Sequence, residues 1–350
     1  MPIHDVGYRG WDGERTSQIS RWSIISSTGI RLAAKSRWVR RIVFVAWLPV
    51  MYWGVGFFFV EKAIETDSNA LMQAAQTIGD PSEVNQPNMS RLAIQQSLST
   101  TFAMFPHAEE LSESFASNDT ARIRNDVWRW MLMVFFRYPQ AIIILFLIGT
   151  VAPTLISRDL RSRAFLLYFS RPIGKFEYIF GKLCIPSAFI MAVTTLPALG
   201  LYSIALLMSP NFSVFWNTWD IPLRICLATL ALVIPTSSVA LMLSSLTQES
   251  RYANFSWFAI WAMGHGAWLT IVIATATRMN MAPVDPEVLQ SNMVQNWSAL
   301  SLYNCLGSLQ AVIFGYEELK DVWRGVLSLA GITLFSLVVL YRRVSAPIRV

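Results

Sequence analysis

Six stretches of this chain carry no Asp, Glu, Lys or Arg and are long enough to cross a bilayer. They are Ile42 to Val60, Tyr138 to Ser157, a third beginning at Leu183, Ile225 to Gln248, Tyr252 to Thr277 and Gly325 to Tyr341. A hydrocarbon core of about 30 Å takes roughly 20 apolar residues in a helix. The runs are apolar throughout and do not alternate, so barrel strands are a poor fit. Only 14% of the residues are charged, against about 25% in an ordinary soluble domain. A soluble enzyme, a nucleic-acid binder and a disordered scaffold are thereby excluded. The expected fold is an all-α polytopic membrane protein with six transmembrane helices.

Charge orients the spans, because Lys and Arg collect in cytoplasmic loops. Residues 1–41, 157–182, 247–254 and 342–350 together hold 18 bases and 6 acids. Residues 61–138, 209–221 and 278–321 hold 8 bases and 16 acids. Both termini are therefore expected in the cytoplasm of a bacterial-type inner membrane. The basic pI follows from topology and calls for no nucleic acid.

The chain divides accordingly. A tail and interfacial helix occupy 1–41, and spans fall at 42–60, 138–157, 183–208, 222–246, 255–277 and 325–341. An external helical insert fills 61–137, a basic loop 158–182, external or re-entrant helices 278–321, and a tail 342–350. The forty mostly polar residues ahead of the first span do not resemble a secretory leader. Between Ile19 and Lys35, helical spacing gathers Ile19, Trp22, Ile25, Ile30 and Ala33 opposite Arg21, Arg31 and Lys35. That pattern suits a helix lying in the interface, or a solvated basic leader that only sets topology.

Within the insert, Ser68 to Gln76, Arg91 to Phe105 and Asp119 to Phe136 read as helices, with Asn118-Asp119 a cap for the last. Trp128 and Trp130 suit an interfacial belt. The insert could meet an external partner or simply pack on the spans. Val288 to Tyr316 is also uncharged. As a seventh span it would export Arg342, Arg343 and Arg349, and it carries Asn292, Gln295, Asn296, Asn304 and Gln310. It is read as helices that do not cross.

The most informative motif is RDLRSRAFLLYFSRPIGKFEYIFGKL, Arg158 to Leu183. Six bases face two acids, Asp159 and Glu177. The apolar run Phe165 to Phe169 is too short to span, so it needs a membrane surface or a partner protein to bury it. Arg171-Pro172-Ile173-Gly174 reads as a turn between two helices. In Asp159, Leu166, Leu167, Ser170, Arg171, Pro172, Ile173, Lys175, Tyr178, Gly181 and Lys182 the motif resembles the permease subunit of type-two ABC exporters. The chain departs from that family in having Arg163-Ala164 where a Gly-Thr pair is frequent. Its basic residue after Pro-Ile is Lys175, and its insert is longer than in compact members.

The resemblance implies a permease that pairs with itself or a relative and couples through Arg158 to Lys182 to a separate ATP-binding subunit. Phe165 and Tyr168 would be buried anchors there. Arg158, Asp159, Arg161, Arg163, Arg171, Pro172, Lys175, Tyr178 and Lys182 complete the contact. Arg161, Arg163 and Arg171 would meet acidic partner groups or phospholipid. ATP and Mg would sit on the partner, with no cofactor on this chain. Gly181-Lys182 is followed by Leu183 and lacks the earlier glycine of a P-loop.

No residue pattern points to catalysis or to a metal. His4, His107 and His265 are scattered, and Cys184, Cys226 and Cys305 show no metal spacing. His265, flanked by Gly264 and Gly266, is a candidate intramembrane polar site. Its other reading is a neutral imidazole bonded to a neighbouring helix. The competing functions are a membrane scaffold that docks a partner without transport and, less well supported, a membrane-embedded enzyme. The substrate is not legible.

Overall fold

The computed structural model describes residues 21–78, 119–164, 173–209, 211–283 and 285–345. Among these the chain is helical, with no strand. Six helical segments are long and apolar enough to cross a membrane: Arg37–Lys62, Thr120–Arg161, Lys175–Met208, Asp220–Leu246, Ser250–Met279 and Leu319–Ser345. The protein is an all-α polytopic integral membrane protein.

The helices are α1 (Arg21–Ala34), α2 (Arg37–Ala46), α3 (Leu48–Ile78), α4 (Thr120–Phe135), α5 (Ala141–Val151) and α6 (Pro153–Arg161). They continue as α7 (Lys175–Val193), α8 (Thr195–Met208), α9 (Ser213–Thr218), α10 (Asp220–Leu246) and α11 (Ser250–Met279). Last come α12 (Pro286–Gln290), α13 (Asn292–Trp297), α14 (Leu302–Phe314) and α15 (Leu319–Ser345). The span α10 is central, packed by α6, α7, α8, α11, α14 and α15. The α10 segment is also the most deeply buried of the six. By contrast, α11 and α15 leave most of their apolar surface uncovered, with Phe255, Met263, Leu327, Leu334 and Phe335 exposed. Such faces suit lipid or a second membrane protein.

The second span begins much earlier than its hydropathy suggests. From Thr120 to Arg161 the chain is one nearly continuous helical rod. Asp119 caps it, its Oδ1 accepting N–H bonds from Ala121 at 3.0 Å and Arg122 at 3.3 Å. A π-turn over Phe136–Gln140 absorbs Pro139, which lacks an N–H to donate. Trp128 and Trp130 are fully buried rather than belted at an interface. Trp128 meets Phe57 and Tyr202 edge to face, with centroids 6.2 and 5.9 Å apart. Their position beside a hydropathy boundary suggested the belt, but α3 and α8 cover that face.

The uncharged stretch before the last span is broken into α12, α13, a 3-10 turn at Ser298–Leu300, and α14. At 13 residues α14 is roughly 20 Å long, too short to cross. It packs among α10, α11 and α15, where Asn304 and Gln310 are buried in protein. The expected helix Arg91 to Phe105 lies outside the described residues.

Helix α1 lies along the first half of α7 through Trp22, Ile25, Ser26, Gly29 and Ile30. The Ser26 hydroxyl donates to the Gly181 carbonyl at 3.0 Å. Arg31 and Lys35 stay exposed. The amphipathic face of α1 is thus covered by protein along α7.

Candidate functional site

The basic loop is rooted in the last turn of α6 and the first two turns of α7. A proline at N1 starts α6, and the break before it is filled from α10. The Ser244 hydroxyl donates to the Pro153 carbonyl at 2.8 Å and accepts from the amides of Ile156 and Ser157, each at 3.1 Å. One buried hydroxyl thereby ties the start of α6 to α10.

At its far end α6 stops in a Schellman motif. The Ala164 amide donates to the Asp159 carbonyl at 3.0 Å, and the Arg163 amide donates to the Leu160 carbonyl at 3.3 Å. Arg163 takes φ +53°, the left-handed region that glycine adopts without strain. Arg163 thus occupies a backbone position where a glycine would fit better.

Across the loop, Gly174 caps α7 and its amide donates to the Glu177 carboxylate at 3.0 Å. The next turn carries Tyr178 and Lys182 on the side facing α6. Lys182 Nζ lies 2.7 Å from Asp159 Oδ2 and 2.8 Å from the Leu155 carbonyl oxygen. The Tyr178 hydroxyl donates to the same carboxylate oxygen at 2.6 Å. Tyr178 and Lys182 are buried, and Asp159 is largely so. Three motif residues from two helices therefore form one closed polar knot at the base of the loop.

The other described bases of the loop are not enclosed. Arg158, Arg161 and Arg163 are exposed and Lys175 is half-buried. Arg161 reaches Glu249 in the next loop on the same side, at 3.5 Å. So open an ion pair contributes little on its own. Phe165, Tyr168, Arg171 and Pro172 lie outside the described residues. Phe176, which the sequence reading passed over, is 74% exposed and stacks on Phe180, which in turn meets Trp22. It lies on an exposed aromatic row beside the loop, where neither hydropathy nor charge singled it out.

His265 sits apart from the loop. Its ring packs on Tyr303 and Trp268, with centroids 5.3 and 5.5 Å away, and Nδ1 has no hydrogen-bond partner. Gly264 allows this approach, since a Cβ there would come 2.7 Å from the Leu300 carbonyl oxygen. Tyr303 also carries the Arg137 guanidinium, 5.4 Å above its ring. In sequence Arg137 stands just before an uncharged run, among the charges of the 61–138 segment. It is in fact half-buried on the π-turn.

A sequence model of the family described as ABC-2 family transporter protein matches residues 28–344. No curated protein and no solved structure matches the chain.

Proposed function

The chain belongs to the ABC-2 transporter family and is a membrane permease subunit, and from that premise we propose that it is the transmembrane half of an ATP-driven exporter. The loop Arg158 to Lys182 is the seat of a separate ATP-binding subunit, which holds ATP and Mg. The basic side, with both termini, faces the cytoplasm across the inner membrane. The exposed faces of α11 and α15 serve pairing with a second permease.

The observation that carries this reading is the knot of Asp159, Tyr178 and Lys182. A loop that merely set topology would need its charges but not a buried closure at its base. Tied at its root, the loop passes a push on its tip into α6 and α7 together. Through Ser244 the linkage extends to α10, the central span. Rigid movement of packed helices is a common way for transporters to alternate access. Motion of the loop would therefore reach the spans as a displacement of helices.

The test is purification of the tagged chain from its native membrane, followed by ATPase assay and identification of what accompanies it. A stoichiometric P-loop ATPase, retained by the wild type and lost by Phe165→Ala with Tyr168→Ala, is expected. A double variant that inserts normally and keeps both the ATPase and transport would sink the docking assignment.

A further inference from the structure

Arg137 is a half-buried cation in the helical bundle with no carboxylate partner among the described residues. Most other buried or half-buried cations here have one, Arg124 with Glu61 and Lys182 with Asp159 among them. The guanidinium borders a water-sized cavity also walled by Trp261, Tyr303, Gly307 and Gln310, the rest of the wall being aliphatic. Trp261 is 7% exposed and Gln310 2%, yet Trp261 Nε1 and Gln310 Nε2 have no hydrogen-bond partner. Buried polar groups are nearly always paired, so two orphaned donors beside one small space need an explanation. All three groups are N–H donors, and one is charged. The wall's own acceptors, the Tyr303 hydroxyl that bonds Arg137 and the Gln310 amide oxygen, leave those two donors unbonded, and a negatively charged oxygen would satisfy them.

Depth narrows the source of that oxygen. Arg137 and Arg158 lie on one helical rod, about 30 Å apart at 1.5 Å per residue. That is the thickness of the hydrocarbon core. With Arg158 at the basic boundary, Arg137 stands at headgroup level on the opposite, acidic boundary.

We propose that the cavity at Arg137 binds an anionic oxygen of an amphiphile headgroup, phosphate or carboxylate, at the acidic-side boundary of the membrane. Arg137 supplies the charge, and Trp261 and Gln310 supply the orphaned donors. Only one oxygen-bearing arm enters, since the space is water-sized, and the rest of the molecule stays in the bilayer. Gly307 is needed for this geometry: a Cβ there would fall 1.7 Å from Arg137 Nη1. The inference rests on the membrane placement of the chain and not on its coupling to an ATPase.

The experiment uses the full chain in nanodiscs of phosphatidylcholine. Phosphatidylglycerol is added in one arm and inorganic phosphate in the other. Thermal stability and retained lipid, the latter by native mass spectrometry, are read for wild type, Arg137→Gln, Gly307→Ala and Arg278→Gln. Gly307→Ala keeps every charge and favours the helix, moving only the guanidinium. Arg278 is an exposed cation near the end of α11 and reports general surface attraction. Phosphatidylglycerol should bind the wild type and Arg278→Gln alike, and Arg137→Gln and Gly307→Ala about tenfold more weakly. A response to phosphate with the same variant pattern supports the site with a soluble anion as its ligand. Binding unaffected by Arg137→Gln and Gly307→Ala, or no response to either anion, overturns it. Retention of an ATPase subunit is scored separately, so failure here leaves the coupling assignment standing.

Discussion

The carboxylate of Asp159 and the ammonium of Lys182 meet at 2.7 Å across the two ends of the basic loop. Asp159 serves both of that loop's ends at once. Its main-chain carbonyl closes the Schellman turn that begins the loop, and its side chain receives Lys182 and Tyr178 where the loop re-enters the membrane. A separate ATP-binding subunit pressing on the loop would therefore act on a closed ring.

Removing one partner should leave the other as a desolvated charge. Lys182→Met or Asp159→Leu should each destabilise the protein by about 3 kcal/mol or more. The combined variant should recover most of that loss, because two apolar groups leave no charge unpaired. Melting temperatures in detergent read the stability. ATPase stimulation by the permease should stay low in all three, since the ring is open in each. Full stimulation in the double variant would show that the pair serves stability alone.

Arg163 holds a left-handed backbone at the turn that ends α6. Arg163→Gly should raise stability by about 1 kcal/mol, since the conformation costs an L-residue roughly that much. Arg163→Val should lower stability, because a β-branched side chain tolerates positive φ least. The charge can be judged apart from the backbone. If Arg163 meets an acidic partner group, Arg163→Gly will weaken partner binding while it stabilises the chain. Unchanged melting in both variants would mean that the turn does not form as described.

Two glycines let α1 and α7 approach closely. A Cβ on Gly181 would stand 3.0 Å from the Trp22 carbonyl oxygen, and one on Gly29 would come 2.2 Å from Ile185 Cδ1. Small residues at such crossings are a general device of membrane packing. Gly181→Leu should push α1 away, and trypsin should then cut at Arg31 and Lys35 faster than in the wild type. Ser26→Ala, which removes the hydroxyl that bonds the Gly181 and Trp22 carbonyls, should have a milder effect of about 1 kcal/mol. Cleavage at the wild-type rate in Gly181→Leu would argue against this packing.

The spans and the knot were open to sequence reasoning for different reasons. Long uncharged runs report directly on the solvent around a helix, so the six spans followed from composition along the chain. Asp159, Tyr178 and Lys182 were singled out by the motif, although their mutual contact was not. Arg137 escaped notice because hydropathy records where a run ends, not what lies against it. The π-turn carries the helix past Pro139, so the rod continues where a boundary was expected. Trp128 and Trp130 were misplaced by the same error. Gln310 and Trp261 became informative only once both were seen to line one cavity with unpartnered donors, where helices far apart in the chain come together.

A second buried pair gives an internal control for the first. Glu61 and Arg124 join α3 to α4 on the acidic side, with Arg124 Nη2 2.7 Å from Glu61 Oε1 and Nε near both oxygens. Both residues are buried, and about two turns further along the same helices the Trp53 indole donates to the Met131 carbonyl at 3.1 Å. Arg124→Met should cost about 3–5 kcal/mol, and Glu61→Leu with Arg124→Met should return close to wild-type stability. Here the double variant should also keep full ATPase stimulation, because the pair lies far from the basic loop. The two pairs thus predict the same stability pattern and opposite coupling patterns. Loss of stimulation in the Glu61→Leu, Arg124→Met protein at wild-type melting temperature would show that the acidic-side helices belong to the moving part.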